Sequence, residues 1–381
     1  MSAGPPPAGR ISKFITGMLV SILCGMRARE WWPLLWRQRF AIDPPYWPRA
    51  LALTGYSTVN SVLAACEELR FGARIRKMNG PAPVFILGHW RSGTTHLHNL
   101  MACDPQLVAP SLHQALFPHT FLTTESWLPD LYGRVLPEVR KFDNMPLSPH
   151  LPAEDEFALN ILTGGLSPYM AYTWPRDAGR FDRYLTMREA SDAERALWSA
   201  ALRRYVAKLH FASGRMPVLK SPPHTARLWL LHRIFPDARF IHVHRHPEQV
   251  FQSMRAMMLV ARYLRAALQR RRRSTDDELF DQFEKLHASY FEYRDQVPAG
   301  QLVEIPYARL VAEPLKCLGD AYEQLGMTGF AAAEPHMRQH LAMQSDYRRN
   351  QHRPLSRTQR RRLAEAARLC CAVWGYTIAK P

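Results

Sequence analysis

The chain has 381 residues, of which 47% are apolar, so it can bury the core of one large domain or of two ordinary ones. Lysine and arginine outnumber aspartate and glutamate by 50 to 33, and the net charge of +17 favours anionic partners such as a nucleotide or an acidic membrane surface. The composition excludes a repetitive chain, and the scattered cysteines, with no C-x-x-C spacing, favour reduced thiols in the cytoplasm over a disulfide framework.

An apolar stretch at residues 14–26 is the first predicted element, and basic residues flank it on both sides. The stretch is shorter than the roughly 20 residues that a membrane-spanning helix needs. No small-residue cleavage site follows it, which disfavours a signal peptide. A helix packed on the core is the main interpretation. The alternative is a peripheral membrane contact through residues 14–36, with Trp31, Trp32 and Trp36 at the interface.

Residues 1–80 are predicted to form a helical extension, and residues 81–381 a single nucleotide-binding domain. Short apolar runs bounded by turn residues predict strands at 84–87, 216–220, 238–244 and 302–305. Helices are predicted at 54–78, 94–103, 157–163, 193–213, 225–235, from residue 247 onward and near the C-terminus. Residues 105–155, rich in proline and aromatic residues, are predicted to be long loops with short helices. Strands that alternate with helices predict an α/β fold with a parallel sheet, whose ligands bind beyond the carboxyl ends of the strands.

The segment GHWRSGTT, directly after the first predicted strand, has the glycine spacing of a phosphate-binding loop. Gly88 and Gly93 allow a tight turn, whose backbone N–H groups hold a phosphate together with the N-terminus of the next helix. Thr94 stands where such loops carry lysine, and Arg91 lies three places earlier. No hydrophobic strand ends in the aspartate that holds magnesium, so a metal-bound triphosphate is not expected. A loop arginine instead suits a phosphosulfate, whose bridging oxygen gains negative charge as the sulfonyl group leaves.

Two segments of the chain together resemble sulfotransferases that use 3′-phosphoadenosine-5′-phosphosulfate (PAPS). GHWRSGTTHLHNL is similar to the loop that binds the 5′-phosphosulfate in that family, and residues 219–254 are similar to its 3′-phosphate-binding segment. With DNM at 143–145 and PAEDEFAL at 152–159, the likeness is to the bacterial-type sulfotransferase family 3 and covers residues 83–350. It implies a P-loop-type three-layer fold, with helices on both sides of a central parallel sheet. It also implies transfer of a sulfonyl group from PAPS, without a metal, to a hydroxyl or amine of a small molecule, lipid or glycan.

The resemblance also implies which residues hold PAPS. Arg91 would contact the bridging oxygen, and Arg245 and Ser253, eight residues apart, would share the 3′-phosphate. Lys220 would contact the transferring sulfonyl group or the bridging oxygen, with a surface salt bridge as its alternative role. Tyr307 would pack on the adenine. The implied PAPS-binding residues are Arg91, Ser92, Gly93, Thr94, Thr95, Arg245, Ser253 and Tyr307.

Sulfonyl transfer also needs a group that takes the proton of the acceptor. The candidates between the two phosphate motifs are His113, His150 and the acidic cluster of Glu154, Asp155 and Glu156. Glu154 is favoured and His150 is second, because the region after the first loop helix carries no acid. Capping of the helix that begins near Asp155 is the alternative role for Glu154. The predicted catalytic residues are therefore Arg91, Lys220, Glu154 and His150.

Several other basic residues have simpler explanations. His242, His244 and His246 spell H-x-H-x-H, but no acidic ligand lies nearby, so packed or solvated histidines are expected and not a metal site. Residues 270–273 are predicted to be an exposed helix end, and the arginines at 348–349 are candidates for closing over the nucleotide.

Two other functions compete with sulfonyl transfer. One is a magnesium-dependent P-loop kinase that has relocated its basic residue, and the other is a non-catalytic, membrane-associated nucleotide-binding protein. The arginine-rich helices could contact nucleic acid, but no recognition motif supports that partner, and none is expected.

Overall fold

The structure is a computed structural model that describes residues 21–78, 80–139, 145–260, 267–270, 275–343 and 353–378. Predictions made for residues 14–20, 143–144, 271–273 and 348–349 lie outside the described residues.

A sheet of five parallel strands lies at the centre of the described chain. The strands are β1 (Val84–Leu87), β2 (Leu107–Val108), β3 (Met216–Lys220), β4 (Arg239–His244) and β5 (Leu302–Pro306), in the order β2-β3-β1-β4-β5. All four residues of β1 are fully buried, as a central parallel strand requires. The predicted α/β fold is confirmed. The two-residue strand β2 was not predicted, because so short a pairing leaves no periodic pattern in the sequence.

Helices surround the sheet and extend it toward both chain ends. Before β3 they are α1 (Ala28–Arg37), α2 (Trp47–Glu67), α3 (Ala73–Arg76), α4 (Thr94–Met101), α5 (Leu112–Leu116), α6 (Phe121–Thr124), α7 (Leu128–Gly133), α8 (Glu156–Leu162), α9 (Arg183–Thr186) and α10 (Asp192–Ser213). After β3 they are α11 (Pro223–Ala226), α12 (Leu228–Ile234), α13 (Pro247–Val260), α14 (Asp276–Tyr293), α15 (Tyr307–Ala312), α16 (Pro314–Gln324), α17 (Phe330–Met343), α18 (Arg357–Ala366) and α19 (Arg368–Trp374). Short 3₁₀ segments lie at Pro44–Tyr46, Pro168–Tyr172, Pro175–Phe181 and Arg294–Gln296, and a π-helical turn lies at Glu68–Gly72.

Alternate strand residues enter two separate apolar layers, one on each face of the sheet. Phe85 packs in the larger layer, where its ring stacks on Phe240 with centroids 5.7 Å apart. Val84 and Ile86 pack in the smaller layer with Ile241. The period of two along each strand therefore produces the three-layer arrangement that the resemblance implied.

Helix α2 begins earlier and ends earlier than predicted. It starts at Trp47, because Pro48 falls in the first helical turn, where the missing N–H is not needed. It gives way to the π-helical turn after Glu67, and α3 then reaches only Arg76.

The described part of the N-terminal apolar stretch packs on the core. Residues 21–26 are buried, and the Asn60 side chain donates to the carbonyls of Cys24 at 2.7 Å and Met26 at 3.1 Å. Trp31 is fully buried, and its indole N–H donates to Thr54 at 2.9 Å, so it takes no part in a membrane-facing girdle. Among the described residues, no helix combines the length and apolar character that crossing a bilayer requires.

The strand histidines are part of the core. His242 stacks on Tyr290, with centroids 4.3 Å apart, and lies 5.1 Å from the Trp374 ring. The His244 ring also stacks on Trp374, with centroids 4.5 Å apart, and its Nδ1 lies 2.8 Å from the Tyr376 hydroxyl. Burial lowers the pKa of His242 well below its usual value and that of His244 to about 4. These neutral rings attach the C-terminal segment to β4.

The pKa of His242 predicts acid sensitivity of the fold. In the unfolded chain this histidine titrates near 6.5, so below that pH the unfolded state binds more protons and folding stability falls as the pH falls. His242→Phe keeps a stacking ring without a titrating group. Its loss of unfolding free energy between pH 7.5 and pH 5 should be about 2 kcal/mol smaller than that of the wild type, measured by urea unfolding. The exposed His336→Phe variant is the control and should retain the wild-type loss.

Candidate active site

The glycine loop connects β1 to α4 at the carboxyl end of the central strand. Gly88 and Gly93 have φ of 142° and 107°, and a Cβ on Gly93 would collide with the Tyr307 ring. Arg91 itself has φ of 69°, a conformation that residues with side chains rarely adopt. No side chain caps α4, so the N–H groups of its first turn are directed at the loop. The loop therefore has the backbone shape of an anion site.

Two hydroxyl groups, those of Thr225 and Ser92, lie at the glycine loop. Thr225, on α11, accepts a hydrogen bond from the Gly88 N–H at 2.7 Å. The buried Ser92 hydroxyl has no hydrogen-bond partner within the described part of the chain. An unpartnered buried hydroxyl beside uncapped helix N–H groups matches the donors that a phosphate requires.

The two predicted phosphate motifs meet in the structure. The Arg91 Nε donates to the Ser253 hydroxyl, on α13, at 2.9 Å. The Arg245 Nη1 donates to the Arg91 carbonyl at 3.2 Å, and its guanidinium lies 4.5 Å from the centre of the Tyr307 ring. Residues that follow β1, β4 and β5 thus form one cluster, with two guanidinium groups on one side of the loop.

A second polar cluster lies where β3 ends. Lys220 is only 3% exposed, and its Nζ donates to Glu154 Oε1 at 2.8 Å and lies 3.5 Å from the Thr95 hydroxyl. The ion pair is therefore buried on the lysine side and joined to the glycine loop through Thr95. Glu154 itself is about one-fifth exposed.

Tyr169 fixes the other oxygen of Glu154. Its hydroxyl donates to Glu154 Oε2 and accepts a hydrogen bond from the Trp90 indole N–H at 3.2 Å. Burial, reinforced by the Glu154 carboxylate, raises the pKa of Tyr169 well above its usual value. Tyr169 therefore acts as a neutral donor, and Glu154 is held between a cation and a phenol.

The two acids that follow Glu154 have structural partners. The Asp155 carboxylate accepts a hydrogen bond from Ser221 at 2.8 Å and lies 2.6 Å from His224 Nε2. Burial raises the pKa of Asp155, but the His224 ring and the hydrogen bonds outweigh it, so the pKa is lowered overall. Asp155 occupies the N-cap position of α8 without a side-chain cap, so Glu154 does not cap this helix.

Glu156 is the buried anchor of α8. It forms two hydrogen bonds with Arg227, at 2.6 and 3.0 Å, and accepts one from Ser167 at 2.6 Å. Both side chains of the ion pair are fully buried. The three consecutive acids therefore divide into one that faces the loop cluster and two that hold the backbone around it.

Neither histidine candidate for the base has a described hydrogen bond to Lys220, whereas Glu154 does. His150 is exposed, and the described hydrogen bonds of the Lys220 amine go to Glu154 and Thr95. His113 is buried, with its Nε2 3.0 Å from the Thr124 hydroxyl. Burial, together with nearby His150, lowers the pKa of His113 to about 4. In the described ranges, no group of three or more histidine, cysteine or acidic side chains is arranged to hold a metal ion.

Three residues around the site escaped the sequence prediction. Tyr169 bonds Glu154, Trp90 bonds the Tyr169 hydroxyl from the glycine loop, and Thr225 bonds the glycine loop from α11. Thr225 had a usable signal, because it directly follows the polar turn after β3 at the carboxyl edge of the sheet. Tyr169 had none, since it is one of many aromatic residues in an irregular segment.

Comparisons with known proteins agree on one family. A family model described as the sulfotransferase family matches residues 83–331. The chain is 33% identical over 327 residues to the omega-hydroxy-beta-dihydromenaquinone-9 sulfotransferases Stf3 of Mycobacterium bovis and Mycobacterium tuberculosis, covering 86% of this chain and 84% of theirs.

Two solved structures resemble the fold. Sulfotransferase STF9 from Mycobacterium avium matches with a TM-score of 0.65 and 19% identity over the full length of both chains. Sulfotransferase STF1 from Mycobacterium tuberculosis H37Rv matches with a TM-score of 0.64 and 18% identity, over 94% of this chain and 98% of that chain. At these identities, the likeness concerns the fold alone.

The buried Glu156–Arg227 pair predicts a stability effect. Glu156→Gln leaves the Arg227 charge buried without its counterion and should lower the free energy of unfolding by about 3–5 kcal/mol. The matched control is Glu189→Gln, which breaks the exposed ion pair with Lys285 and should cost about 1 kcal/mol or less. Urea unfolding at pH 7 measures both. Equal losses in the two variants would contradict a structural role for Glu156.

Proposed function

This chain belongs to the sulfotransferase family and is an enzyme of sulfonyl transfer, and we propose that PAPS is its donor, held between the glycine loop and the segment around Arg245. The family assignment decides against the kinase and the non-catalytic alternatives. The hydrogen bond from Arg91 to Ser253 carries the proposal, because it brings together two motifs that lie 162 residues apart in sequence.

The residues present suit a nucleotide with two phosphate positions. The uncapped first turn of α4, the Ser92 hydroxyl and the Thr94 and Thr95 side chains offer donors for the 5′-phosphosulfate. Arg245, which directly follows β4, and Ser253, on α13, offer donors for the 3′-phosphate. Tyr307 lies beside Arg245 and offers a ring face for the adenine.

Arg91 connects the two phosphate positions in this proposal. It bonds Ser253 in the structure, and it also belongs to the loop that would hold the 5′-phosphosulfate. An arginine in that place stabilises the negative charge that develops on the bridging oxygen.

The proposed transfer uses Lys220 and Glu154 as a pair. The acceptor hydroxyl attacks the sulfur in line with the bridging oxygen, and a new S–O bond forms as the S–O bond to the phosphate breaks. The electron pair of the broken bond remains on the phosphate, whose charge Arg91 and Lys220 stabilise. The proton of the acceptor passes to Glu154. His150 remains the second candidate for this base.

We further propose that the acceptor is a hydroxyl on an apolar, lipid-like molecule. The Stf3 relatives are named for an omega-hydroxy menaquinone derivative, which is such a molecule. Next to Glu154, the Tyr169 ring lies 5.9 Å from that of Tyr172 and 5.7 Å from that of Phe157. An aromatic wall beside the base suits an apolar acceptor, which it would orient while excluding water.

A cytoplasmic site at the inner membrane surface fits such an acceptor, and we retain it as a proposal. All six cysteines are unpaired, which suits a reducing compartment. Peripheral contact through residues 14–36 would use Trp32 and Trp36, which are exposed on α1.

Nucleotide binding tests the donor proposal. Arg245→Ala and Arg91→Ala should each weaken the binding of 3′-phosphoadenosine-5′-phosphate by about 10- to 100-fold in calorimetry, because each removes a charge-assisted hydrogen bond. Arg338→Ala, on the exposed face of α17, is the control and should bind as the wild type does. Chelation of divalent cations should leave all affinities unchanged. Wild-type protein that binds no adenosine bisphosphate would contradict the proposal.

Transfer kinetics test the base. Glu154→Gln should lower kcat by about 10²- to 10⁴-fold with labelled PAPS and an omega-hydroxy lipid, while nucleotide affinity stays within about threefold of the wild type.

Tyr169→Phe and His150→Ala separate the roles around Glu154. Tyr169→Phe should lower kcat less than Glu154→Gln does, because it keeps the carboxylate and removes only the phenol that holds Oε2. His150→Ala should resemble the wild type. A large loss in His150→Ala together with an active Glu154→Gln would transfer the base assignment to His150.

A further inference from the structure

Helix α2 presents an apolar stripe to solvent. Positions four or three residues apart along its outer side carry large apolar side chains or small residues, and no charge. The large exposed side chains of this stripe are Trp47 (45% exposed), Leu51 (65%), Val59 (57%), Val62 (61%) and, in the following π-helical turn, Leu69 (88%). Gly55, Thr58, Ala65 and Cys66 fill the positions between them. This outer face is about 30 Å long.

The inner side of the same helix packs on the core and also makes polar contacts. Asn60 bonds the backbone of the buried stretch before α1, and the Ser61 hydroxyl accepts a hydrogen bond from the Ala28 N–H at 2.9 Å. Glu67 is buried against Lys208. These hydrogen bonds fix the rotation of α2 about its axis, so the apolar stripe cannot turn inward. The outward position of the stripe is therefore built into the fold.

Every charged residue that is exposed between residues 27 and 77 is basic. The exposed basic residues are Arg29, Arg37, Arg39, Arg70, Arg74, Arg76 and Lys77. The acidic residues of this stretch are either buried, as Glu30 and Glu67 are, or paired with arginines, as Asp43 and Glu68 are. The stripe thus has cationic residues near both of its ends.

We propose that the outer face of α2 lies on the surface of an anionic bilayer. The apolar stripe would enter the boundary between headgroups and acyl chains, and the surrounding arginines and lysine would bind lipid phosphates or carboxylates. Trp36 and Trp47, exposed near the α1–α2 connection, are of the residue type that prefers this interface. The proposed contact thereby lies on α2 and not on the stretch at 14–26, whose described part is buried.

The basic residues around the stripe favour an anionic lipid surface over a second copy of this chain as its partner. A second copy of this chain would bring the same basic residues against each other, and like charges across an interface disfavour it. An anionic lipid surface supplies both parts that the face needs, a layer of negative charge and an apolar layer below it. This inference deepens the lipid-acceptor part of the proposed function, but its test needs no sulfonyl transfer.

Vesicle sedimentation tests the surface. The full chain should sediment with vesicles of phosphatidylcholine containing 30% phosphatidylglycerol, a composition of about one anionic lipid in three, and far less with phosphatidylcholine alone. Raising the salt from about 0.1 to 1 M should reduce binding to the anionic vesicles, because it screens the arginine contacts. Leu51→Glu and Val62→Glu should each lower the vesicle partition coefficient by about tenfold or more.

Leu197→Glu is the matched control. Leu197 is a half-exposed leucine on α10, outside the stripe, so this variant should partition as the wild type does. Sedimentation velocity without lipid and binding of 3′-phosphoadenosine-5′-phosphate check that each variant remains folded. Because nucleotide binding is measured separately, its absence in the wild type would count against the donor proposal and not against the surface.

Two outcomes would overturn the inference. One is equal partitioning of Leu51→Glu, Leu197→Glu and the wild type on anionic vesicles. The other is a wild-type dimer in solution that Leu51→Glu converts to a monomer, since this face would then be a contact between copies of the chain.

Discussion

The site depends on the convergence of parallel strands at one edge of the sheet. The glycine loop follows β1, Lys220 ends β3, Arg245 follows β4 and Tyr307 follows β5. Because all pairings are parallel, these four carboxyl ends face the same way, and residues far apart in sequence come within hydrogen-bonding distance. The bond between Arg91 and Ser253 follows from that constraint, whereas Glu154 reaches Lys220 from the loop before α8.

Charge is distributed unevenly within this arrangement. The side of the loop near β4 holds two guanidinium groups, whereas the side near β3 holds a cation already paired with a carboxylate. The first arrangement suits a ligand with excess negative charge, and the second suits transfer of a proton beside a stabilised leaving group. The buried Asp155–His224 and Glu156–Arg227 pairs hold the backbone that presents Glu154, so the acidic cluster combines the proposed base with its own support.

A sulfotransferase with an apolar acceptor meets its two substrates in different phases. The donor is a soluble polyanion, and a lipid-like acceptor resides in a bilayer. The polar loop cluster and the apolar outer face of α2 are separate surfaces of this chain with opposite chemistry. Under the proposed function and the proposed membrane contact, this division would allow the enzyme to bind PAPS from water while α2 lies on the bilayer.

The sequence alone determined the glycine loop, four of the five strands and the position of the segment around Arg245 after β4, because each depends on residues that are close neighbours along the chain. It also isolated Glu154 within a short acidic cluster, but it could not assign different partners to the three acids. Tertiary structure decided that assignment, together with the positions of Tyr169 and Trp90, since their contacts join segments with no common periodicity. It also decided that residues 21–26 are buried while the outer face of α2 is exposed, because the apolar content of a helix does not reveal which side its neighbours cover.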